Sequence, residues 1–245
     1  MKKRVIKLIL VLFTFSVLVV TSLFGYKYLH SNYEVQRKDA IYKKYDDIKK
    51  LVASSEVDTT NETEQIDKYI NKDDLRGIIS VSGTNINSFI MQSTDNSFYL
   101  NHLENGEYNE LGSIMLDYRN DLERDKINVI YGHNAYASYT PFKELENFYQ
   151  KSFYDSNPYI YITTKEGTYK YQIFTVALVP KKTSRHIEIA FDSNQKYEEH
   201  LNWLREISLY DTSVKVNTDD KVLILQTCSI KYDDNFLIIG GRKVI

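Results

Sequence analysis

The only cysteine of the chain, Cys228, closes the run Leu223-Ile224-Leu225-Gln226-Thr227-Cys228. Residues 222–225 read as a buried strand, because they form a short apolar run led in by Asp219-Asp220-Lys221. The thiol then falls where the strand gives way to a polar loop over 229–235, held by the scaffold and open to a substrate. His133 has a similar setting. Residues 127–131 are apolar and β-branched, and they close on Gly132-His133-Asn134. If the two strands open on one rim, thiol and imidazole meet. A cysteine is only partly thiolate at neutral pH, and a nearby imidazolium favours the reactive anion, so the pair would suit nucleophilic acyl chemistry. Each residue also has a plainer reading. A lone cysteine is often a small buried hydrophobe, and His133 could be a turn histidine bonded through Gly132 and Asn134. The other histidines fit this chemistry less well. His30 adjoins an apolar N-terminal stretch, His102 lies in a polar turn, His186 in an apparent loop and His200 on a helix.

The elements that must position these groups are mostly short strands. Residues 78–81, 88–92, 98–100, 113–116 and 127–131 read as strands separated by turn residues. A helix is expected from Pro141, with Phe142, Leu145 and Phe148 on one face and Pro at an allowed early position. Residues 159–163 and 169–179 form a hairpin pattern about Lys165-Glu166-Gly167. Residues 197–207 read as a helix, 214–216 and 222–225 as strands, and 236–239 as the last strand. Many short strands with few helices point to a closed barrel or sandwich, and the reactive groups at strand ends favour the barrel. The 21 tyrosines agree with a sheet protein.

At the N-terminus, Lys2, Lys3 and Arg4 precede an apolar stretch over 8–24, broken only by Thr14, Ser16, Thr21 and Ser22. With its flanks this just spans a hydrocarbon core of ~30 Å. The positive cluster places the N-terminus inside and the remainder outside. A cleaved signal peptide is the competing account; no small-x-small site stands near Thr21-Ser22-Leu23, which favours a retained anchor. Residues 32–71 are polar, with Tyr42, Tyr45, Ile48 and Leu51 at helical spacing, a linker over 54–64 and a short helix from Glu64. The expected division is a cytoplasmic tip and anchor over 1–30, a helical stalk and linker over 31–74, and a catalytic barrel over 75–245. A net charge of −2 gives no basic field for nucleic acid. One cysteine excludes an intramolecular disulfide and any multi-cysteine metal site.

Tyr131-Gly132-His133-Asn134 and Leu225-Gln226-Thr227-Cys228 resemble the histidine and cysteine motifs of sortases, the cysteine transpeptidases of Gram-positive cell surfaces. Ser82-Gly83-Thr84-Asn85-Ile86, Asp95-Asn96-Ser97-Phe98-Tyr99-Leu100 and Gly112-Ser113-Ile114-Met115-Leu116-Asp117 are similar to class B members, as is the helix-containing insert over 180–209. The resemblance implies a closed eight-stranded β-barrel with N-terminal helices and that insert before the penultimate strand. It implies that Cys228 attacks the sorting signal of a secreted protein to form a thioacyl enzyme. His133 would protonate the leaving amine and then accept a proton from a peptidoglycan-precursor or pilin amine. It implies no metal and no cofactor. Thr227, beside the nucleophile, is read equally as substrate-positioning or as structural.

One departure stands out. In the family an arginine begins the last strand just before an apolar run and steadies the substrate carbonyl and the oxyanion. Here Asn235 precedes Phe236-Leu237-Ile238-Ile239, and the next arginine, Arg242, follows seven residues later. That is more than ~20 Å along a strand, with the odd offset reversing the face. Three accounts are open: another cation such as Lys231 or Arg185 enters the site, Asn235 suffices, or the enzyme is weak on common sorting signals. Two other functions compete. A papain-like cysteine hydrolase is disfavoured because no helix follows Cys228 in sequence pattern. A catalytically weakened surface module is kept open by the missing arginine.

Overall fold

The structure is a computed structural model, described here for residues 7, 12–30, 32–33, 36, 71–135 and 140–244. The chain divides into two compact units, Met1–Lys43 and Lys44–Ile245. In the first, helix α1 spans Leu12–His30. Its 19 residues give a rod of ~28 Å, long and apolar enough to cross a membrane, though a signal sequence meets the same test. Its polar side chains fold back on the helix. Ser16 Oγ donates to Phe13 O at 2.8 Å, and Thr21 Oγ1 reaches Val17 O and Leu18 O at 3.0 Å each. The outer surface thus stays apolar, with Leu18 and Phe24 exposed. The stalk helix, the linker and the short helix expected over 42–70 lie outside the described residues.

The second unit holds eight strands: β1 Leu75–Val81, β2 Asn87–Met91, β3 Met115–Leu116, β4 Ile127–Tyr131, β5 Tyr159–Thr164, β6 Gly167–Pro180, β7 Val222–Cys228 and β8 Asn235–Lys243. They close into a barrel in the order β1-β2-β3-β4-β7-β8-β6-β5. Two neighbouring pairs are parallel, β2 with β3 and β4 with β7; the others are antiparallel. Helix α2 spans Lys151–Ser156, and α3, Asn194–Glu206, lies in the connection from β6 to β7. The closed eight-stranded barrel and the helical insert before the penultimate strand agree with expectation. Two expected strands do not form. Residues Phe98–Leu100 make a 3-10 turn, because Asp95 Oδ1 accepts the N–H groups of Ser97 and Phe98 and winds the chain. Residues 214–216 are irregular. The helix expected from Pro141 starts as a 3-10 segment, Lys143–Tyr149, before α2. Ser193 caps α3, its Oγ accepting Lys196 N–H at 3.2 Å, so the helix starts three residues before the expected position.

Alternation along the strands builds two cores. Ile79, Ile90, Ile130, Leu223, Leu225, Leu237 and Ile239 fill the barrel interior. Val129, Ala177, Val222, Ile224 and Ile238 face outward beneath Tyr197, Leu201 and Leu204 of α3. β7 is therefore buried on both faces, which is why it reads as a continuous apolar run rather than an alternating one. Its far end projects past the cores and carries Cys228.

Candidate active site

Two parallel neighbours bring the cysteine and the histidine together. β4 and β7 pair in register from Ile127↔Val222 to Tyr131↔Gln226. His133 and Cys228 each follow that final pair by two residues, on strands ~4.8 Å apart. Both side chains lie at one rim, half-buried. The expectation that the two strands open on the same rim holds. β7 continues through Gln226 and Thr227 to Cys228 itself, three residues beyond the expected end. The following loop bends and turns without a helix, unlike the setting of a papain-type nucleophile.

The rim is held by side chains where the backbone ladder stops. Gly132 N–H donates to Gln226 O at 3.2 Å. Beyond it, Thr227 Oγ1 donates to Gly132 O at 2.7 Å and Asn134 Nδ2 donates to Cys228 O at 3.0 Å. Thr227 is 2% exposed and, by alternation, points into the barrel, so the structure gives it a structural hydrogen bond at this position. His133 Nε2 lies 2.7 Å from Leu100 O, which fixes a proton on that nitrogen because a carbonyl only accepts. The ring is oriented by the 98–100 turn. A Cβ at Gly132 would come 2.6 Å from the Phe142 ring, so glycine lets that ring press on the backbone leading into His133. Phe142 N–H also closes on His133 O at 2.9 Å.

The loop after Cys228 is tied down from the 3-10 segment. Glu146 Oε1 accepts Ile230 N–H at 2.7 Å, and Tyr149 Oη donates to Ser229 Oγ at 2.7 Å. A cavity of about 330 Å³ opens at the same end of the barrel, lined by Asn85, Thr140, Glu144 and Glu146 among others. A larger one, about 460 Å³, lies at the opposite end beside Leu75 and Thr163, away from the thiol.

Even-numbered residues of β7 face outward, so Gln226 and Cys228 share the face covered by the insert. His186 docks there: its ring nitrogen Nε2 meets Gln226 Oε1 at 2.7 Å, and its ring lies 5.7 Å from that of Phe236. Asp117, fully buried, braces the same wall. It takes Arg119 at 2.8 and 2.7 Å and the Tyr131 hydroxyl at 2.7 Å, while Arg119 reaches Ile187 O in the insert at 3.2 Å. Burial works to raise the Asp117 carboxyl, but the guanidinium and these hydrogen bonds hold it below the usual carboxylate range. Asp117 and Arg119 were invisible as a site from spacing, since only the β3–β4 pairing turns them toward Tyr131.

Neither Asn235 nor Arg242 stands opposite the thiol. The β8 residue opposite Cys228 is Phe236, not Asn235. Asn235 pairs with Pro180 of β6, and by alternation its side chain shares the face of Leu237 and Ile239 rather than that of Cys228. Its backbone closes the loop, accepting Ser229 N–H at 3.0 Å. Arg242 does share the face of Cys228, but it pairs with Val222 at the other end of β7 and lies 3.6 Å from Asp220. Lys231 sits over Tyr149 and Tyr232, 5.7 and 5.3 Å from the ring centres. Arg185 stacks on Trp203 of α3 at 4.5 Å. Among the described residues, no group of three or more His, Cys, Asp or Glu side chains could hold a metal ion.

The closed mixed barrel thus carries a thiol and an imidazole at one rim, at the ends of adjacent parallel strands. Residues 79–243 match the sortase domain, so the chain belongs to the sortase family. It is 30% identical to Sortase B of Staphylococcus aureus over 218 residues, 88% of each chain. It is 32% identical to Sortase B of Listeria monocytogenes over 179 residues, 71% of each. The structure of the Staphylococcus aureus sortase B–substrate complex superposes with a TM-score of 0.74 at 27% identity, covering 86% of this chain and 98% of that one. The protein is a cysteine transpeptidase of the sortase B type.

Proposed function

We propose that Cys228 is the nucleophile and His133 the acid–base residue of this transpeptidase, acting on a C-terminal sorting signal of secreted proteins. The observation that carries the assignment is the Tyr131↔Gln226 register, which leaves both residues two positions past the same rung. The Cys228 thiolate adds to the carbonyl of the scissile bond. His133, as imidazolium, gives a proton to the departing amine, and the Cys228 Sγ–acyl bond remains. An incoming amine, from a peptidoglycan precursor or a pilin lysine, then attacks the thioester; His133 takes its proton and the thiolate leaves. The Nε2–H held by Leu100 O leaves Nδ1 for that proton exchange. Helix α1 supports anchoring in the cell membrane as a single pass, with Lys2, Lys3 and Arg4 inside and the barrel outside. Mass spectra of protein mixed with a panel of sorting peptides test the reaction. A thioacyl adduct on Cys228 is expected, and an adduct elsewhere overturns the assignment.

A second reading rests on Phe236. With an aromatic ring opposite the thiol in place of a guanidinium, a sortase-like surface module of weakened activity is the alternative. Alkylation by iodoacetamide at neutral pH separates the two: an active thiolate reacts fast, an inert thiol slowly.

A further inference from the structure

In a parallel ladder, the next bond of the same sense after Gly132 N–H to Gln226 O would join the backbone N–H of residue 134 to Cys228 O. The chain leaves the sheet at His133, and that rung is not made by the backbone. The Asn134 side chain makes it instead, Nδ2 reaching Cys228 O at 3.0 Å. The orientation of this amide is forced, because Cys228 O is only an acceptor and must face the NH2 group. Its Oδ1 is therefore turned away and is buried, with no hydrogen-bond partner among the described residues, in a residue only 6% exposed. A buried acceptor with no donor is destabilising; an apolar side chain of that size would avoid this defect but would leave Cys228 O without its amide donor.

We propose that Asn134 is a positioning residue for acyl transfer: its amide replaces the lost ladder rung, so that the histidine backbone leaves the sheet while the cysteine end of β7 stays pinned beside it. The proposal rests on Cys228 as the nucleophile. His133 and Cys228 are then placed by their supports, Leu100 O for one and Asn134 Nδ2 for the other, before any substrate arrives.

Asn134→Asp tests this through pH. Its carboxylate would face Cys228 O and repel it, whereas the protonated acid would donate an O–H and restore the rung. At pH 7.5 the variant should lose about ten-fold or more in kcat with KM little changed. Relative to wild type at the same pH, it should recover as the acid protonates toward pH 5. Asn134→Leu, similar in size, should stay low at both pH values. Parallel thermal melts check the fold. Wild-type kcat in both variants overturns the proposal, and so does an equal deficit for Asn134→Asp at both pH values. A rung intact in solution should give a scalar coupling across the hydrogen bond, between Asn134 15Nδ2 and the Cys228 carbonyl 13C. Its absence also overturns the proposal. If the coupling is present but no acyl adduct forms on Cys228, the nucleophile assignment fails, and with it the catalytic role of Asn134.

Discussion

His133 stands half-buried at the rim with one nitrogen on Leu100 O, whereas His186 and His200 of the insert lie 1% and 2% exposed. Among the described residues, both nitrogens of His200 and Nδ1 of His186 have no hydrogen-bond partner. His200 is packed among aromatic rings, Phe191 at 5.0 Å and Trp203 at 5.7 Å. Burial, then the charge of Arg185, then His186 push its imidazolium down to about 4. Burial likewise lowers His186, against the hydrogen bond to Gln226. The same side chain thus stands accessible in one place and is a neutral packing group in the other. Access to solvent, rather than residue type, makes the difference.

The sharpest way to break this contrast is to remove the members of each set. Cys228→Ala should abolish cleavage of sorting peptides while the melting temperature barely moves, since one sulfur at a strand end is lost. His133→Ala should lose ~10² to 10⁴ in kcat, the range for a positioned acid–base group. His200→Phe should keep most of its activity at pH 7. A His200→Phe variant as inactive as His133→Ala would end the distinction. Rates of peptide cleavage beside melting curves give the answer.

Phe236 and Asn235 sharpen the rim side. Phe236→Arg places a guanidinium on the face of Cys228, next to the developing oxyanion, and should raise kcat/KM by up to about ten-fold. Asn235→Arg points to the other face and should gain nothing. A gain for Asn235→Arg alone would show that the β8 register slips by one residue in solution.

Acid should act on the buried pair. The folded state holds these imidazoles neutral, so the unfolded chain binds protons at higher pH. Their contribution is fully present above the unfolded value near ~6.5 and is lost as pH falls from there toward about 4, the folded value of His200. The loss should be on the order of 2 kcal/mol over that window. Urea melts at pH 7 and pH 4.5 measure it, and His200→Phe should flatten the dependence. An unchanged slope in that variant would mean that other groups drive acid unfolding. The smallest effect is expected of Arg242→Ala, which removes a 3.6 Å ion pair with Asp220 at the end of β8 far from Cys228. It should cost about 1 kcal/mol or less and leave kcat unchanged.

The local half of this protein was written in the chain. The apolar run ending at Cys228, the apolar run ending at Gly132-His133 and the Glu166-Gly167 turn were readable because strand and turn preferences act between near neighbours. Residues 98–100 misled because their composition suits a strand, while the Asp95 carboxylate bonds that wind them into a turn do not show in hydrophobic pattern. Long-range pairing decided the rest. Thr227 and Gly132, 95 residues apart, meet because β4 and β7 lie side by side and parallel, which no local preference encodes. The antiparallel pairing of β7 with β8 sets Phe236 rather than Asn235 across from the thiol, since one step of register turns a side chain to the other face of the sheet.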